Sequence, residues 1–277
     1  MVSASDSADP FFCPMRAFVA VLLLNAMCLP ATGQTLWSRP YQPNQVAVET
    51  IVPDAEGTSF FSGATFITGT ASLSENIELQ AELPLARVQP SGNGASTSTL
   101  GNPYVGVGLS STSLPVLLEV GGRIPAASAN PAASVGATTD IGRTSAFVPD
   151  EFGLSALLNG RYSLGRQSSI RLRTGFAYGS GPSPNDTSDD RLTRWQMHYE
   201  AQLWRESNPL LTGISFLGRH RLDSPGTSEH LISLSVMADW ARIQPGLFAG
   251  TSLNDLFQNG TFSPLVGLTL NVSYGRF

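Results

Sequence analysis

Residues 195–204, WQMHYEAQLW, decide the fold of this 277-residue chain. The odd-numbered positions carry Trp, Met, Tyr, Ala and Leu, whereas all but the last of the even-numbered positions carry Gln, His or Glu. Successive side chains of a β-strand point to opposite faces of a sheet. The period of two therefore predicts a strand with one apolar face and one polar face.

The same alternation returns in the segments that begin at Ile77, Ile170, Ile232 and Val266. Clusters of Gly, Pro, Ser, Thr and Asn separate the apolar stretches, as turns require. We expect strands near residues 44–52, 59–73, 77–88, 102–110, 114–124, 152–164, 168–179, 193–204, 210–221, 230–241, 246–252 and 263–277. The strand number is then twelve, with ten as the alternative, because the first run could be an N-terminal plug and the run near 246–252 is short.

The lengths of the connections distinguish a soluble sandwich from a membrane barrel. A soluble antiparallel sandwich also alternates apolar and polar residues, so alternation alone does not separate it from a membrane barrel. Short connections alternate with long ones, the short ones at 74–76, 111–113, 165–167 and 205–209 and the long ones at 89–101, 125–151, 180–192 and 222–229. This asymmetry is typical of Gram-negative outer-membrane barrels. We therefore predict an all-β, transmembrane, antiparallel up-and-down barrel in the cell outer membrane.

Aromatic residues on the apolar face support a membrane setting. Amphipathic rings favour the two interfaces between lipid and water. We expect one girdle near the short-turn end from Tyr162, Trp240 and Tyr274, and a second near the long-loop end from Tyr178 and Trp195. The alternative is that these rings fill a soluble core.

Residues 1–33 have the pattern of a leader. The apolar run 17–29, AFVAVLLLNAMCL, is too short to span a membrane as a helix. Small residues follow it before Gln34, as in a cleaved signal peptide. Residues 1–14 precede a second methionine and are interpreted as an upstream misread of the start codon. The expected mature barrel is therefore 34–277.

Composition excludes several classes of site. All 16 basic residues are Arg, which removes the lysine of Walker-type phosphate loops and of Schiff-base enzymes. Both cysteines, Cys13 and Cys28, lie in the leader, so thiolate chemistry and Cys-ligated zinc are not expected. The acidic loop 185–190 does not have EF-hand spacing, and no metal or cofactor is predicted. The net charge of −5 includes no long basic cluster, so nucleic acid is not an expected partner.

The charged residues and one histidine on the polar faces of the predicted strands are the candidates for lining the lumen. They are Glu78, Glu82, Glu119, Arg123, Arg161, Arg171, Arg173, His198, Glu200 and Asp239. Arginine near the middle of a bilayer costs about 2–4 kcal/mol on the lipid face, so we expect these charges inside a barrel. There they form either a structural ladder of salt bridges, which we favour for most of them, or the lining of a solute path.

Enzymatic chemistry is not expected. Some outer-membrane barrels hydrolyse or transfer lipid acyl groups, which requires a nucleophile, a base and an orienting group at the membrane surface. None of the three histidines, His198, His220 and His230, is followed two residues later by serine, as in the outer-membrane phospholipase. A lipid-modifying activity that depends on His198 is kept as a third hypothesis.

Four segments resemble a known outer-membrane family. They are TASLSENIELQAELPLARV (70–88), LGNPYVGVGL (100–109), LPVLLEVGGRIPAAS (114–128) and GLTLNVSYGRF (267–277). Together they resemble the barrels named for the meta-pathway of phenol degradation, which are related in style to fatty-acid and aromatic-hydrocarbon channels. Leu83-Pro84 matches the family pattern, whereas Gly101-Asn102 stands where Gly-Asp is usual and Ile124-Pro125-Ala126 lacks a Thr-Gly corner.

The resemblance implies passage of small, hydrophobic or aromatic solutes across the outer membrane, and this is our leading hypothesis. Phe277 resembles the terminal aromatic residue read by the barrel-assembly machinery, although a bulge at Gly275 is needed to align it with the outward residues. The second hypothesis is a structural or adhesin-like barrel whose long loops, above all 125–151, contact an extracellular partner. The Pro-, Ala- and Ser-rich part of that loop, 126–134, is predicted to be flexible.

Overall fold

The structure is a computed structural model that describes most of the predicted barrel. The described residues are 44–53, 58–59, 61–91, 94–111, 115–182, 191–224, 228–240, 242–259 and 262–274. The predicted leader, the acidic loop 185–190, Gly275 and Phe277 lie outside them.

Strands make up nearly all of the regular structure. They are β1 (Gln45–Pro53), β2 (Gly63–Ser74), β3 (Ile77–Val88), β4 (Thr97–Leu100), β5 (Tyr104–Ser110), β6 (Val116–Arg123), β7 (Phe152–Ser163), β8 (Ser168–Pro182), β9 (Arg191–Ser207), β10 (Leu210–Arg221), β11 (Ser228–Ala238), β12 (Ile243–Ser252) and β13 (Pro264–Ser273). One α-helix, α1 (Pro131–Thr139), a 3-10 turn (Thr144–Ala146) and a π-helical turn (Asp255–Asn259) complete the described elements. Within the described ranges, no helix has the length and apolarity needed to cross a membrane.

The sheet closes on itself. Strand β1 pairs antiparallel with β2 on one side and with β13 on the other, and every other neighbour pair in the ring is also antiparallel. Strands β4 and β5 both pair with β3 and form two parts of one interrupted wall strand. The wall therefore has twelve strands, as predicted. The ten-strand alternative is wrong, because β1 is part of the wall and not a plug.

Buried and exposed residues alternate along the wall. In β3, Glu78, Gln80 and Glu82 are each 7% exposed, whereas Leu79 and Leu83 are 39% and 40% exposed. The buried face is the inside of the ring, because its side chains contact each other across an intervening strand. Arg173 of β8, for example, contacts Glu119 of β6. Apolar side chains point outwards, so the soluble-sandwich alternative is wrong.

The connections differ at the two ends of the barrel. Both described chain ends lie at the end with the short turns, which join β2 to β3, β5 to β6, β7 to β8, β9 to β10 and β11 to β12. The longer connections, including 124–151 between β6 and β7, lie at the opposite end. This arrangement confirms the alternation of tight and long links predicted from the sequence.

Helix α1 corrects the prediction that 126–134 is flexible. The side chain of Asn130 accepts a hydrogen bond from the backbone N–H of Ala133 at 3.0 Å and caps the helix. Pro131 follows in the first turn, where a missing N–H has no cost. Asn-Pro followed by alanines is a helix-start signal, although a Pro-, Ala- and Ser-rich composition is typical of loops.

The connection 124–151, called the inner loop below, folds into the barrel. It packs against the inner face of β1, β2 and β3 and completes an apolar cluster with strand residues that point inwards. The buried members are Ile51, Ala64, Phe66, Ala86, Val88, Ala132, Ala133, Ala146, Phe147, Phe248 and Leu265. The long-loop half of the interior is therefore partly apolar, which the polar face of the predicted strands did not indicate.

Closure of the wall is testable by cross-linking. Val46 of β1 and Val272 of β13 are register partners on the outer face. With Cys13 and Cys28 replaced by serine, we expect the Val46→Cys/Val272→Cys variant to form an intramolecular disulfide on mild oxidation, because directly opposite residues have the required spacing. Mass spectrometry of the digested barrel detects the linked peptides. Val46→Cys paired with Leu234→Cys of β11 is the control, and a control that links as well as the test pair would contradict the ring.

Candidate functional site

Arg143 anchors the inner loop inside the barrel. Its Nη2 lies 2.6 Å from Glu49 of β1, its Nη1 lies 3.4 Å from Glu82 of β3, and its Nε lies 2.7 Å from Asp140 of the loop itself. The guanidinium also stacks over the ring of Phe66 at 3.7 Å. Burial opposes the charge, but the three carboxylates outweigh it and raise the pKa of Arg143 above its ordinary value.

Asn102 holds the two ends of the inner loop together. This fully buried amide donates to the backbone carbonyls of Ser145 and Val148, at 2.9 and 2.7 Å. Its Oδ1 accepts from the backbone N–H groups of Ala126 and Ala127, both at 2.8 Å. An aspartate cannot donate the first two bonds. An asparagine at this position therefore has a structural reason.

A second group of charges lies across the lumen from β1. Arg173 of β8 contacts both oxygens of Glu119 of β6, at 3.0 and 3.1 Å. Tyr104 of β5 donates to the same carboxylate at 2.9 Å, and Arg123 of β6 pairs with Glu82 at 2.7 Å. The Tyr104 ring lies flat along the inner wall because its neighbours Gly106 and Gly121 have no side chain. A Cβ at either glycine would come within 2.6 or 2.3 Å of the phenol oxygen.

Two cavities lie one above the other along the interior. The upper cavity, nearer the long loops, has a volume of about 80 Å³ and is bordered by the inner loop and by Glu82, Tyr104, Glu119, Arg123 and Arg173. The lower cavity, nearer the short turns, has a volume of about 20 Å³. Its lining consists of Asn159, Gly160, Arg161, Arg171, Leu172, Arg173, Glu200 and Gln202. Arg173 borders both cavities and so separates them.

Below the lower cavity, several buried side chains project into the interior. Trp204, Leu211 and Met237 form a buried apolar cluster at the short-turn end. The indole of Trp204 donates to the side chain of Gln202 at 2.8 Å, and the guanidinium of Arg171 lies 5.6 Å from the indole ring. These side chains occupy part of the interior at the short-turn end.

The candidate lumen-lining residues divide into three groups. Glu82, Glu119, Arg123, Arg161, Arg171, Arg173, His198 and Glu200 border the two cavities, and all of these except the half-buried Arg161 are buried. Glu78 is buried beside Gln80, whose side chain donates to it at 2.7 Å. Asp239 lies just after β11 at the short-turn end, where its carboxylate accepts from Gln244 at 3.0 Å.

Sequence reasoning missed several charged residues of the interior. Glu49 and Arg219 continue the alternation of β1 and β10 and were open to prediction from that pattern. Arg143 and Glu151 lie in the inner loop, where no periodicity applies. Burial raises the pKa of Glu151, while Arg194 of β9, 3.1 Å away, acts in the opposite direction.

The predicted girdle residues lie on the outside or at its rim. Tyr178 and Trp195 are neighbours near the long-loop end, with ring centroids 5.0 Å apart. Trp240 is exposed at the short-turn end, Tyr162 is half-buried there, and Tyr274 donates to the backbone carbonyl of Thr70 at 2.8 Å. Their contact with lipid stays a prediction.

The histidines are divided between the two faces. His198 is buried inside, whereas His220 and His230 lie on the outer face of β10 and β11. There His230 Nε2 lies 2.7 Å from the hydroxyl of Tyr199, and His220 Nδ1 lies 2.8 Å from that of Ser228. No group of three or more potential metal ligands occurs within the described part of the chain.

The closed twelve-stranded ring, apolar outside and charged inside, defines the class of outer-membrane β-barrels. Among solved structures, the chain resembles the NanC porin, with a TM-score of 0.52, 7% identity and coverage of 83% of this chain and 100% of that chain. It also resembles an outer membrane channel from Pseudomonas putida F1, with a TM-score of 0.51, 14% identity and coverage of 89% and 100%. The KdgM porin has a TM-score of 0.50, 8% identity and coverage of 83% and 99%.

These likenesses show the fold. No family model matches the chain, and no curated protein sequence matches it. The resemblance to the phenol meta-pathway barrels therefore stays a sequence-based prediction.

The Asn102 anchor is testable by a single substitution. Asn102→Asp removes both donated bonds and places a carboxylate against two carbonyl oxygens. Each unsatisfied buried group costs about 1–3 kcal/mol, so we expect the free energy of unfolding to fall by about 2 kcal/mol or more. Urea titration of the refolded barrel measures the change. Asn76→Asp, in the exposed turn after β2, is the matched control, and equal stabilities of the two variants would rule out the anchoring role.

Proposed function

We propose that the protein is a passive outer-membrane channel for small solutes, narrowed from inside by the inner loop. The observation that carries the proposal is the pair of charged cavities stacked along the interior of a closed wall. The fold shared with two porins and a channel supports the proposal.

The residues that line the two cavities indicate which class of solute the channel accepts. The resemblance implied hydrophobic or aromatic solutes, and apolar atoms, including those of Tyr104 and Leu157, form the larger part of the surface of the upper cavity. Guanidinium and carboxylate groups nevertheless border both cavities, and a hydrophobic solute would displace their hydration without replacing it. We therefore favour small hydrophilic solutes for the lumen. Passage of aromatic solutes stays a prediction for the same transport assay.

The alternatives have less support. An adhesin was suggested chiefly by 125–151, but Ala132, Ala133 and Phe147 of that loop are buried against the inner wall, so this part of it is not presented outside. A lipid-modifying enzyme that uses His198 would have to act inside the lumen, away from the lipid surface, so we propose no enzymatic activity. Outer-membrane lipid and the assembly machinery that reads Phe277 are the further partners that we propose.

Conductance measurements test the channel. In planar bilayers, the purified protein is expected to form small, stable conductance steps, and liposomes that contain it should take up small hydrophilic solutes. If a correctly folded barrel gives neither conductance steps nor solute uptake, the proposal is refuted. Phenol uptake measured in the same liposomes tests the hypothesis of an aromatic solute.

Arg143→Gln tests the role of the inner loop. The substitution leaves three carboxylates without their shared guanidinium, and breaking a buried ion pair costs about 3–5 kcal/mol. We expect the loop to loosen and the single-channel conductance to rise. Arg87→Gln, an exposed position on the outer face of β3, is the control and should conduct like the wild type. A conductance unchanged in Arg143→Gln would contradict the constriction.

A further inference from the structure

The charged side chains around the upper cavity are paired with one another. Each acidic residue of its lining contacts an arginine. The pairs are Arg123 with Glu82 at 2.7 Å, Arg173 with Glu119 at 3.0 Å and Arg194 with Glu151 at 3.1 Å. Breaking a buried ion pair is strongly destabilising, so an ion that competes for one of the partners is disfavoured. The electrostatics of the upper cavity therefore favour a solute without net charge.

Uncharged polar groups of the lining are able to bond to such a solute. Thr68, on the inner face of β2, borders the upper cavity, and its buried hydroxyl has no hydrogen-bond partner among the described residues. Buried polar groups are normally paired, so an unpaired hydroxyl beside a cavity points to a ligand there. Gln196 borders the same cavity from β9, which stands opposite β2 in the ring, and Ser145 borders it from the inner loop. Hydroxyl and amide groups both donate and accept, as the hydroxyl groups of a solute require.

The apolar surface and the volume of the upper cavity limit the solute further. Leu154, Leu157 and Tyr104 border the cavity, so a bound solute also meets carbon atoms. The volume of about 80 Å³ is five to eight times the 10–15 Å³ that one water-sized group needs. The six carbon and oxygen atoms of glycerol match this size. Its C–H groups can contact the apolar part of the lining while its hydroxyl groups bond to the polar part.

We propose that the upper cavity is a binding site for a small neutral polyol of the size of glycerol. The inference rests on the proposed function and deepens it, because it narrows small hydrophilic solutes to uncharged, hydroxylated ones. An ion would have to compete with the pairs of the lining, and an aromatic hydrocarbon would leave the hydroxyl of Thr68 without a partner. Because Ser145 borders the cavity, a bound polyol lies beside the inner loop.

Thr68→Val and Thr269→Val form a matched pair of variants. Each substitution replaces a hydroxyl by a methyl group on the inner face of the wall. Both hydroxyls are buried and lack a partner within the described ranges, but Thr269 is not part of the lining of the upper cavity. Neither substitution breaks a hydrogen bond, so we expect both variants to fold. Retention of SDS-resistant, heat-modifiable migration checks this expectation.

Crystals grown without any polyol and then soaked in glycerol measure binding without any assumption about transport. We expect glycerol density in the upper cavity of the wild type and of Thr269→Val. Loss of one neutral hydrogen bond weakens binding about two- to tenfold. At a concentration that half-fills the wild-type site, the occupancy in Thr68→Val should therefore fall to about a third or less.

Lactate and phenol, soaked at the same concentration, are the controls for the class of solute. Lactate has as many carbon and oxygen atoms as glycerol but carries a negative charge, and phenol is aromatic. We expect neither to occupy the cavity as fully as glycerol. Absence of glycerol from the wild type, equal occupancy in Thr68→Val, or a stronger density for lactate or phenol would overturn the proposed site.

Uptake into liposomes tests transport separately. With the uptake of protein-free liposomes subtracted, we expect the wild-type barrel to admit glycerol faster than lactate. Glycerol density in a barrel that transports no solute would uphold the site and refute the channel. Transport by a barrel whose crystals hold no glycerol in the upper cavity would uphold the channel and refute the site.

Discussion

A sheet that crosses hydrocarbon must satisfy every backbone hydrogen bond within itself, and the rest of this structure depends on that constraint. The ladder between β1 and β13, from Gln45 opposite Ser273 to Pro53 opposite Leu265, removes the two free edges. Once the ring is closed, one face of every strand is cut off from the surroundings. The alternation of side chains then assigns charged residues to that enclosed face and apolar residues to the outer one.

Enclosure sets the electrostatics of the interior. Charges removed from water are costly unless they are paired and hydrogen-bonded. The long-loop half meets this condition with the inner loop, which brings Arg143 to Glu49 and Glu82 of the wall. The short-turn half meets it with Glu206, which contacts both Arg161 and Arg171 at opposite positions of β7 and β8. The first arrangement fixes the inner loop inside the barrel, and the second places paired charges beside the lower cavity.

The wall strands could be predicted from the sequence because a strand of a membrane barrel alternates outward apolar residues with inward polar ones. Period-two patterns located the twelve wall strands, and the unequal turn lengths distinguished the barrel from a sandwich. The same rule placed Arg173 and Glu119 on one face. It did not reveal that they contact each other, because that depends on which strands are two apart in the ring.

The position and contacts of the inner loop could not be predicted in this way. Its Arg143 finds partners more than sixty residues away, and no periodicity links a loop position to Glu49 or Glu82. Nothing in the sequence around Asn102 indicates its four hydrogen bonds, because their partners lie 24 to 46 residues further along the chain. The helix start at Asn130-Pro131 was readable from capping rules, but the loop-like composition around it outweighed that signal.

Access of lipid to adjacent residues of one strand tests the account most directly. With Cys13 and Cys28 replaced by serine, a fluorophore is attached to Leu234→Cys or to Ser235→Cys of β11, and the barrel is placed in bilayers of brominated lipid. The account predicts strong quenching at position 234 and little at position 235, because the first faces outwards and the second faces the lumen. Equal quenching at both positions, or the reverse order, would contradict it.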